Sequence, residues 1–152
     1  MDDNKRDKMD KDNSEKITIE TVVNAPVKKT WEYWTKPDHI KKWNTASDDW
    51  HTTICQNDLK VGGKFISRME AKNGSIGFDF GGIYDEVKLH ESIKYTLGDG
   101  RKVEIKFNPK GDETEILESF DAEKSNPIEH QRSGWQAILN NFKKYVEKNN
   151  IS

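Results

Sequence analysis

The apolar residues near the C-terminus follow a helical spacing. Between residues 128 and 148 they recur three or four positions apart, with Gln, Asn, Lys and Glu between them. This pattern predicts one long amphipathic helix over 128–148. Its apolar stripe is broad and aromatic, and it consists of Trp135, Ile138, Leu139, Phe142 and Val146.

The middle of the chain has a different pattern, in which apolar and polar residues alternate. The alternation is clean in Ile93, Tyr95 and Leu97, and it is typical of strands covered on one face. Gly, Asn, Asp and Pro separate the runs and supply turn chemistry. The predicted strands are 51–56, 64–70, 76–87, 93–97, 103–107 and 114–120, preceded by a first strand over 17–23.

Two short helices are predicted directly after the first strand, over 27–35 and 38–43. Pro26 is placed where the first turn begins, with Asn24 as its N-cap, and Pro37 separates the two helices. The order is one strand, two helices, six strands and a long helix. This order predicts an α+β fold with the helices on one face of an antiparallel sheet.

Composition limits the location and the partners of the chain. Residues 1–16 are almost entirely polar and charged, which predicts a disordered tail before a single domain over 17–150. The net charge of −2 provides no basic stripe for nucleic acid, and no apolar run is long enough for a membrane. The single cysteine, Cys55, allows no disulfide within the chain. We therefore expect a cytoplasmic protein, with Cys55 as a buried or half-buried structural residue.

Four segments together resemble the activator of heat-shock-protein-90 ATPase homologue family. They are 24–43 (N-A-P-V, W, T-K-P-D and K-K-W), 58–65 (D-L-K-V-G-G-K-F), 82–87 (G-I-Y-D-E-V) and 130–135 (H-Q-R-S-G-W). The resemblance covers about residues 17–148. It implies the START-like (SRPBCC) helix-grip fold, in which a curved antiparallel sheet of about six or seven strands wraps the C-terminal helix.

The resemblance leaves several functions open, because the superfamily includes lipid carriers, polyketide cyclases and aromatases, hormone receptors and co-chaperone domains. The co-chaperone activity belongs to longer proteins with an additional N-terminal domain. Residues 1–16 are too polar to form such a domain, so we expect a different activity.

A cavity between the sheet and the long helix is the expected ligand site, although a core filled by side chains is the alternative. On the fourth strand, Gly81 and Gly82 allow a bulge, so either Tyr84 and Glu86 or Ile83 and Val87 point inward. From the short helices, Trp31 and Trp34 are expected to face the same cavity. The predicted ligand-binding residues are Trp43, Phe65, Met69, Phe78, Phe80, Tyr84, Glu118, Trp135, Leu139 and Phe142.

Glu118 is predicted to point inward, because it shares its strand parity with Ile116 and Phe120. A buried carboxyl group serves ligand binding or acid–base chemistry, whereas one near a strand end reaches water. The four histidines lack metal-ligand spacing, and no cofactor motif occurs, so neither metal nor cofactor is expected. The leading hypothesis is binding of a hydrophobic small molecule. The alternatives are a co-chaperone-like module with a protein partner, or a cyclase- or hydrolase-type enzyme using Glu118 or Tyr84.

Overall fold

A computed structural model describes residues 15–149 and contains seven strands and three helices in that range. The first strand and the two short helices come first, then six strands, then the long helix. The elements are β1 (Lys16–Val23), α1 (Val27–Thr35), α2 (Pro37–Trp43), β2 (Trp50–Asn57), β3 (Lys64–Ala71), β4 (Gly77–Lys88), β5 (Ser92–Leu97), β6 (Lys102–Lys110), β7 (Glu113–Asp121) and α3 (Ile128–Asn149).

The strands form one antiparallel sheet in the order β1-β7-β6-β5-β4-β3-β2. The order follows from tight turns between consecutive strands from β2 to β7, whereas β1 joins at the far edge beside β7. Helix α3 packs on the sheet and contacts β1, and α1 and α2 lie beside it. This arrangement confirms the predicted α+β helix-grip fold.

The core lies between the inner face of the sheet and the apolar stripe of α3. Alternation places Ile105, Ile116 and Phe120 on this face, where they are fully buried. Phe142 of α3 is also fully buried. Trp31 of α1 packs edge-on against Phe107 of β6, with 5.2 Å between ring centroids, so α1 closes one end of the core.

One local prediction about the N-terminal part of the chain, the N-cap of α1, is wrong. Pro26, rather than Asn24, occupies the N-cap of α1, and the backbone N–H of Asn24 instead donates to Glu147 Oε2 at 2.9 Å. Lys16 begins β1 and pairs with Asp121 at 2.7 Å, so the strand includes the last residue of the predicted tail. Residues 1–14 and 150–152 lie outside the described part of the chain, and so does most of that tail prediction.

None of the helices within residues 15–149 is long and apolar enough to cross a membrane.

Candidate functional site

A cavity of about 490 Å³ lies between α3, the inner face of the sheet and the short helix α2. The helix-grip geometry therefore leaves space here that side chains do not fill. Nine of the ten residues predicted to bind a ligand line it: Trp43, Phe65, Met69, Phe78, Phe80, Tyr84, Glu118, Trp135 and Leu139.

Phe142 does not line the cavity, contrary to the sequence-based expectation. Its ring packs edge-on against Trp34 and Trp43, with centroids 4.8 Å away in both cases. It lies almost one helical turn beyond Leu139, where α1 and α2 cover the stripe. Phe142 therefore belongs to the core behind the cavity, while Trp34 and Trp43 separate it from the open space.

The inward parity of β4 runs unbroken from Phe78 through Phe80 to Tyr84, and the bulge lies beyond them, between Tyr84 and Glu86. Gly81 and Gly82 themselves form no bulge, so Tyr84 points inward and Ile83 is exposed, and the later bulge brings Val87 against the core. These glycines serve close strand approach, because an added Cβ would lie 2.6 Å from the Phe65 carbonyl oxygen at Gly81 and 2.3 Å from that of Thr96 at Gly82.

Phe78 marks the rim of the cavity. Phe78 is 47% exposed, and the centroid of its ring lies 5.8 Å from that of Trp50 on the edge strand β2. Further in, Phe65 contacts the rings of Phe80 and Tyr95, at 6.1 and 4.7 Å between centroids. Aromatic rings therefore line the cavity both at its rim and in its interior.

The loop between β2 and β3 holds Tyr84 in place. The Gly62 N–H donates to the Tyr84 carbonyl at 2.8 Å, and the Tyr84 N–H donates to the Gly63 carbonyl at 2.9 Å. The phenol donates to Asn57 Oδ1 at 2.5 Å, and Asn57 Nδ2 donates to the Thr35 carbonyl at 2.6 Å. Burial raises the pKa of Tyr84, so this phenol stays neutral and acts as a fixed hydrogen-bond donor.

Glu118 points into the cavity and is 6% exposed. Its strand neighbours on the same face are Ile116 and Phe120, and the residues opposite it in β1 and β6 are Ile19 and Ile105. Burial among these side chains raises the pKa of Glu118 to about 8. No group within residues 15–149 forms a hydrogen bond or ion pair with this carboxyl group. It is therefore mainly protonated at neutral pH.

Sequence reasoning missed several polar residues of the wall. Tyr95 and Ser67 lie at inward positions of strands whose parity was recognised, so alternation alone identifies them. Arg101 lies in the turn before β6 and Asn57 ends β2 one residue beyond the predicted strand, and neither position carries a periodic signal. Burial, with Glu118 nearby, holds the pKa of Tyr95 well above its usual value.

Neither a reactive thiol nor a metal centre emerges from the wall residues. Cys55 is half-buried, its sulfur accepts a hydrogen bond from Ser67 Oγ at 3.7 Å, and burial raises the pKa of the thiol. A raised pKa keeps the thiol in its unreactive form. Across residues 15–149, no group of His, Cys, Asp and Glu is arranged to hold a metal ion.

Comparison with known proteins gives a consistent result for family and fold. Residues 24–147 match the family described as Activator of Hsp90 ATPase homolog 1-like protein. The solution structure of an AHSA1-like protein from Aeromonas hydrophila is 43% identical with a TM-score of 0.86, over 91% of this chain and 96% of that one. A protein from Cytophaga hutchinsonii is 58% identical with a TM-score of 0.77, over 89% of this chain and 94% of that one.

More distant proteins share the fold alone. A Chromobacterium violaceum protein is 23% identical with a TM-score of 0.79, over 88% of this chain and 98% of that one. No curated protein matches the chain.

Proposed function

We propose, from the premise that this chain belongs to the Activator of Hsp90 ATPase homolog 1-like family, that it binds a hydrophobic small molecule in the cavity between α3 and the sheet. The observation that carries this proposal is the unfilled space of about 490 Å³. Small-molecule sites usually measure about 300–1,000 Å³ and combine apolar walls with a few polar groups. This cavity has the same size and the same combination.

The polar groups of the wall are distributed over several strands, as orientation of a ligand requires. Tyr84 and Asn57 form a hydrogen-bonded pair beside α1, whereas Glu118 lies on the same face three strands away from Tyr84, on β7. Between them the wall is aromatic. A ligand that fits this wall has an apolar body and one or two polar ends. We place this activity in the cytoplasm, in keeping with the single half-buried cysteine.

A matched pair of substitutions at Ser67 tests the proposal. Ser67 is buried on the inner face of β3 between Phe65 and Met69. Ser67→Phe adds a ring inside the cavity, whereas Ser67→Ala leaves the space open. N-phenyl-1-naphthylamine, an uncharged hydrophobic dye, should bind the native protein and Ser67→Ala saturably with a rise in fluorescence, and it should not bind Ser67→Phe. Thermal melts confirm that both variants fold. Equal dye binding by all three proteins, or none by the native protein, would contradict a ligand cavity.

Catalysis is the second candidate, and the buried Glu118 is the observation that favours it. A carboxyl group with a pKa of about 8 exchanges protons near neutral pH, as a general acid or base must. The raised pKa of Tyr84 makes this phenol a weaker proton donor and leaves it a positioning role. An enzyme of the cyclase or hydrolase kind would lose turnover in Glu118→Gln and keep its affinity for substrate.

A protein-interaction role, like that of co-chaperones, would use the outer surface. The outer face of the sheet has a depression of about 480 Å³ lined by Ile66, Ile83, Gly81 and Gly82. Ile83 is 45% exposed. Under this alternative, Ile83→Asp would abolish binding of the partner protein, whereas dye binding in the cavity would remain unchanged.

A further inference from the structure

The ionisable groups that line the cavity differ in whether they already have a partner. Arg101 Nε donates to Asp99 Oδ2 at 2.8 Å, outside the cavity wall. Asp79 at the rim accepts from Arg68 Nη1 at 3.3 Å. The Glu118 carboxyl group has no such partner among residues 15–149, although it is the most deeply buried of these groups.

We propose that the hydrophobic ligand of this cavity carries a positive charge, as an alkyl- or arylammonium group, and that Glu118 is its counter-ion. This inference rests on the proposed function and specifies the ligand class. A buried carboxylate is stable when a cation is paired with it. Because the protein provides no cation at Glu118, a bound ammonium group would supply the missing charge.

The aromatic wall suits the same ligand. Phe65 and Tyr95 stand edge to face at 4.7 Å, and Trp135 approaches Phe80 at 6.0 Å between centroids. The faces of such rings attract ammonium groups, and quaternary ammonium ligands are commonly bound by several aromatic rings. The aromatic rings would therefore contact the alkyl chain of an alkylammonium ligand, while the ring faces and the Glu118 carboxylate would both stabilise its positive charge.

Anionic amphiphiles are poorly matched to this wall. The guanidinium of Arg101 is the one cationic group that lines the cavity within residues 15–149, and Asp99 already occupies it. Binding a carboxylate there would require breaking that ion pair or placing two negative charges near each other. The cavity should therefore discriminate against fatty-acid-like ligands of the same chain length.

Ionisation of Glu118 should control cation binding, because burial raises the pKa of each phenol and of the thiol that share the cavity with it. The other carboxylates of the wall, Asp79 and Glu123, already accept hydrogen bonds from Arg68 and Asn126. Tyr95 on β5 interacts electrostatically with both Glu118 and Arg101, and its pKa lies well above the usual value for a phenol. The pKa of Tyr84 on β4 and that of the Cys55 thiol on β2 are also raised. The residues opposite Glu118 on β1 and β6 are isoleucines, and α3 contributes Gln131, Trp135, Ile138 and Leu139 to the cavity.

Three probes with the same decyl chain test the charge preference: decyltrimethylammonium, decanol and decanoate. Their affinities are measured by displacement of N-phenyl-1-naphthylamine at pH 7 and pH 9, for the native protein and for Glu118→Gln. With a pKa of about 8, the ionised fraction of Glu118 rises from roughly one-tenth to nine-tenths over this range. Affinity of the native protein for decyltrimethylammonium should therefore rise about tenfold, with release of a proton on binding at pH 7.

Glu118→Gln keeps the shape of the side chain and removes its charge. In this variant, decyltrimethylammonium should bind at least about tenfold more weakly at pH 9, and its affinity should not change with pH. Decanol should bind both proteins similarly at pH 9, where Glu118 is ionised, and melting curves check that the variant folds. Decanoate should be the weakest probe of the three for the native protein.

Three results would overturn the assignment. The first is equal binding of decyltrimethylammonium to both proteins at pH 9, and the second is tightest binding of decanoate by the native protein. The third is a fall in decanol affinity above pH 8 without any preference for the cation, which would make Glu118 a neutral hydrogen-bond donor. In each of these cases binding in the cavity, and with it the proposed function, would survive. Failure of all three probes to bind would remove both proposals together.

Discussion

The indole of Trp135 lies parallel to the ring of Phe120, with 3.8 Å between ring centroids and 11° between planes. Trp135 belongs to α3 and Phe120 to β7, so this stack joins the long helix to the sheet. Trp135 also lines the cavity. Trp135 is therefore both an attachment point of the helix and part of the ligand wall.

Replacing Trp135 with Ala should destabilise the protein strongly, because it removes the stack on Phe120. Truncating a buried Trp typically costs about 3–5 kcal/mol, and we expect the lower end of this range because Trp135 is half-buried. Gln136→Ala is the control, since the Gln136 side chain contacts only the Glu20 carbonyl and Asn140 near the surface. It should change the free energy of unfolding by less than about 0.5 kcal/mol. Denaturant melts in which both variants lose the same stability would contradict a helix gripped through Trp135.

Replacing Glu118 with Gln should stabilise the protein at neutral pH and have little electrostatic effect in acid. The pKa of Glu118 rises from 4.5 to about 8 on folding, so the folded state holds a proton that the unfolded state releases. The stability of the native protein should therefore fall as pH rises from 4.5 to 8.

At pH 7 this difference amounts to roughly 3 kcal/mol, at about 1.4 kcal/mol per pKa unit. Because Gln does not titrate, the stability difference between variant and native protein should shrink toward zero near pH 4. Urea melts at pH 4 and pH 7 measure this change. A difference that is the same at both pH values would show that Glu118 ionises normally in the folded protein.

Phe142 and Phe80 should respond differently to truncation, although both were expected in the cavity wall. Phe142 is fully buried against Trp34 and Trp43, so Phe142→Ala should cost about 3–5 kcal/mol of stability. Phe80 is half-buried and faces open space, so Phe80→Ala should cost less and should alter the affinity of N-phenyl-1-naphthylamine instead. Melts and dye titrations of the two variants test this division. Equal losses of stability would place both rings in the core.

Strand alternation was sufficient to predict much of the cavity wall. The inward positions of Phe65, Met69 and Glu118 follow directly from a period of two along β3 and β7. The same rule extends to Ser67 and Tyr95. Periodicity in α3 identified Leu139 and Trp135 as well, because one face of a helix must cover the sheet.

The errors arose where distant parts of the chain decide the outcome. Whether Phe142 faces open space depends on Trp34 and Trp43, which lie about a hundred residues earlier. The glycines of β4 permit a bulge on sequence grounds, whereas in the structure close approach of neighbouring strands requires them. The cavity itself depends on the curvature of the sheet beneath α3, and no local pattern in the sequence reports that curvature.

Mapping a bound probe by NMR is the most direct test of the central claim, that the space between α3 and the sheet binds hydrophobic molecules. Decanol is titrated into isotopically labelled protein while indole and methyl resonances are followed. The account predicts saturable shifts at Trp43, Trp135, Met69 and Leu139, which line the cavity, and their loss in Ser67→Phe. Shifts confined to Ile66 and Ile83 on the outer face, or no saturable shift at any residue, would contradict it.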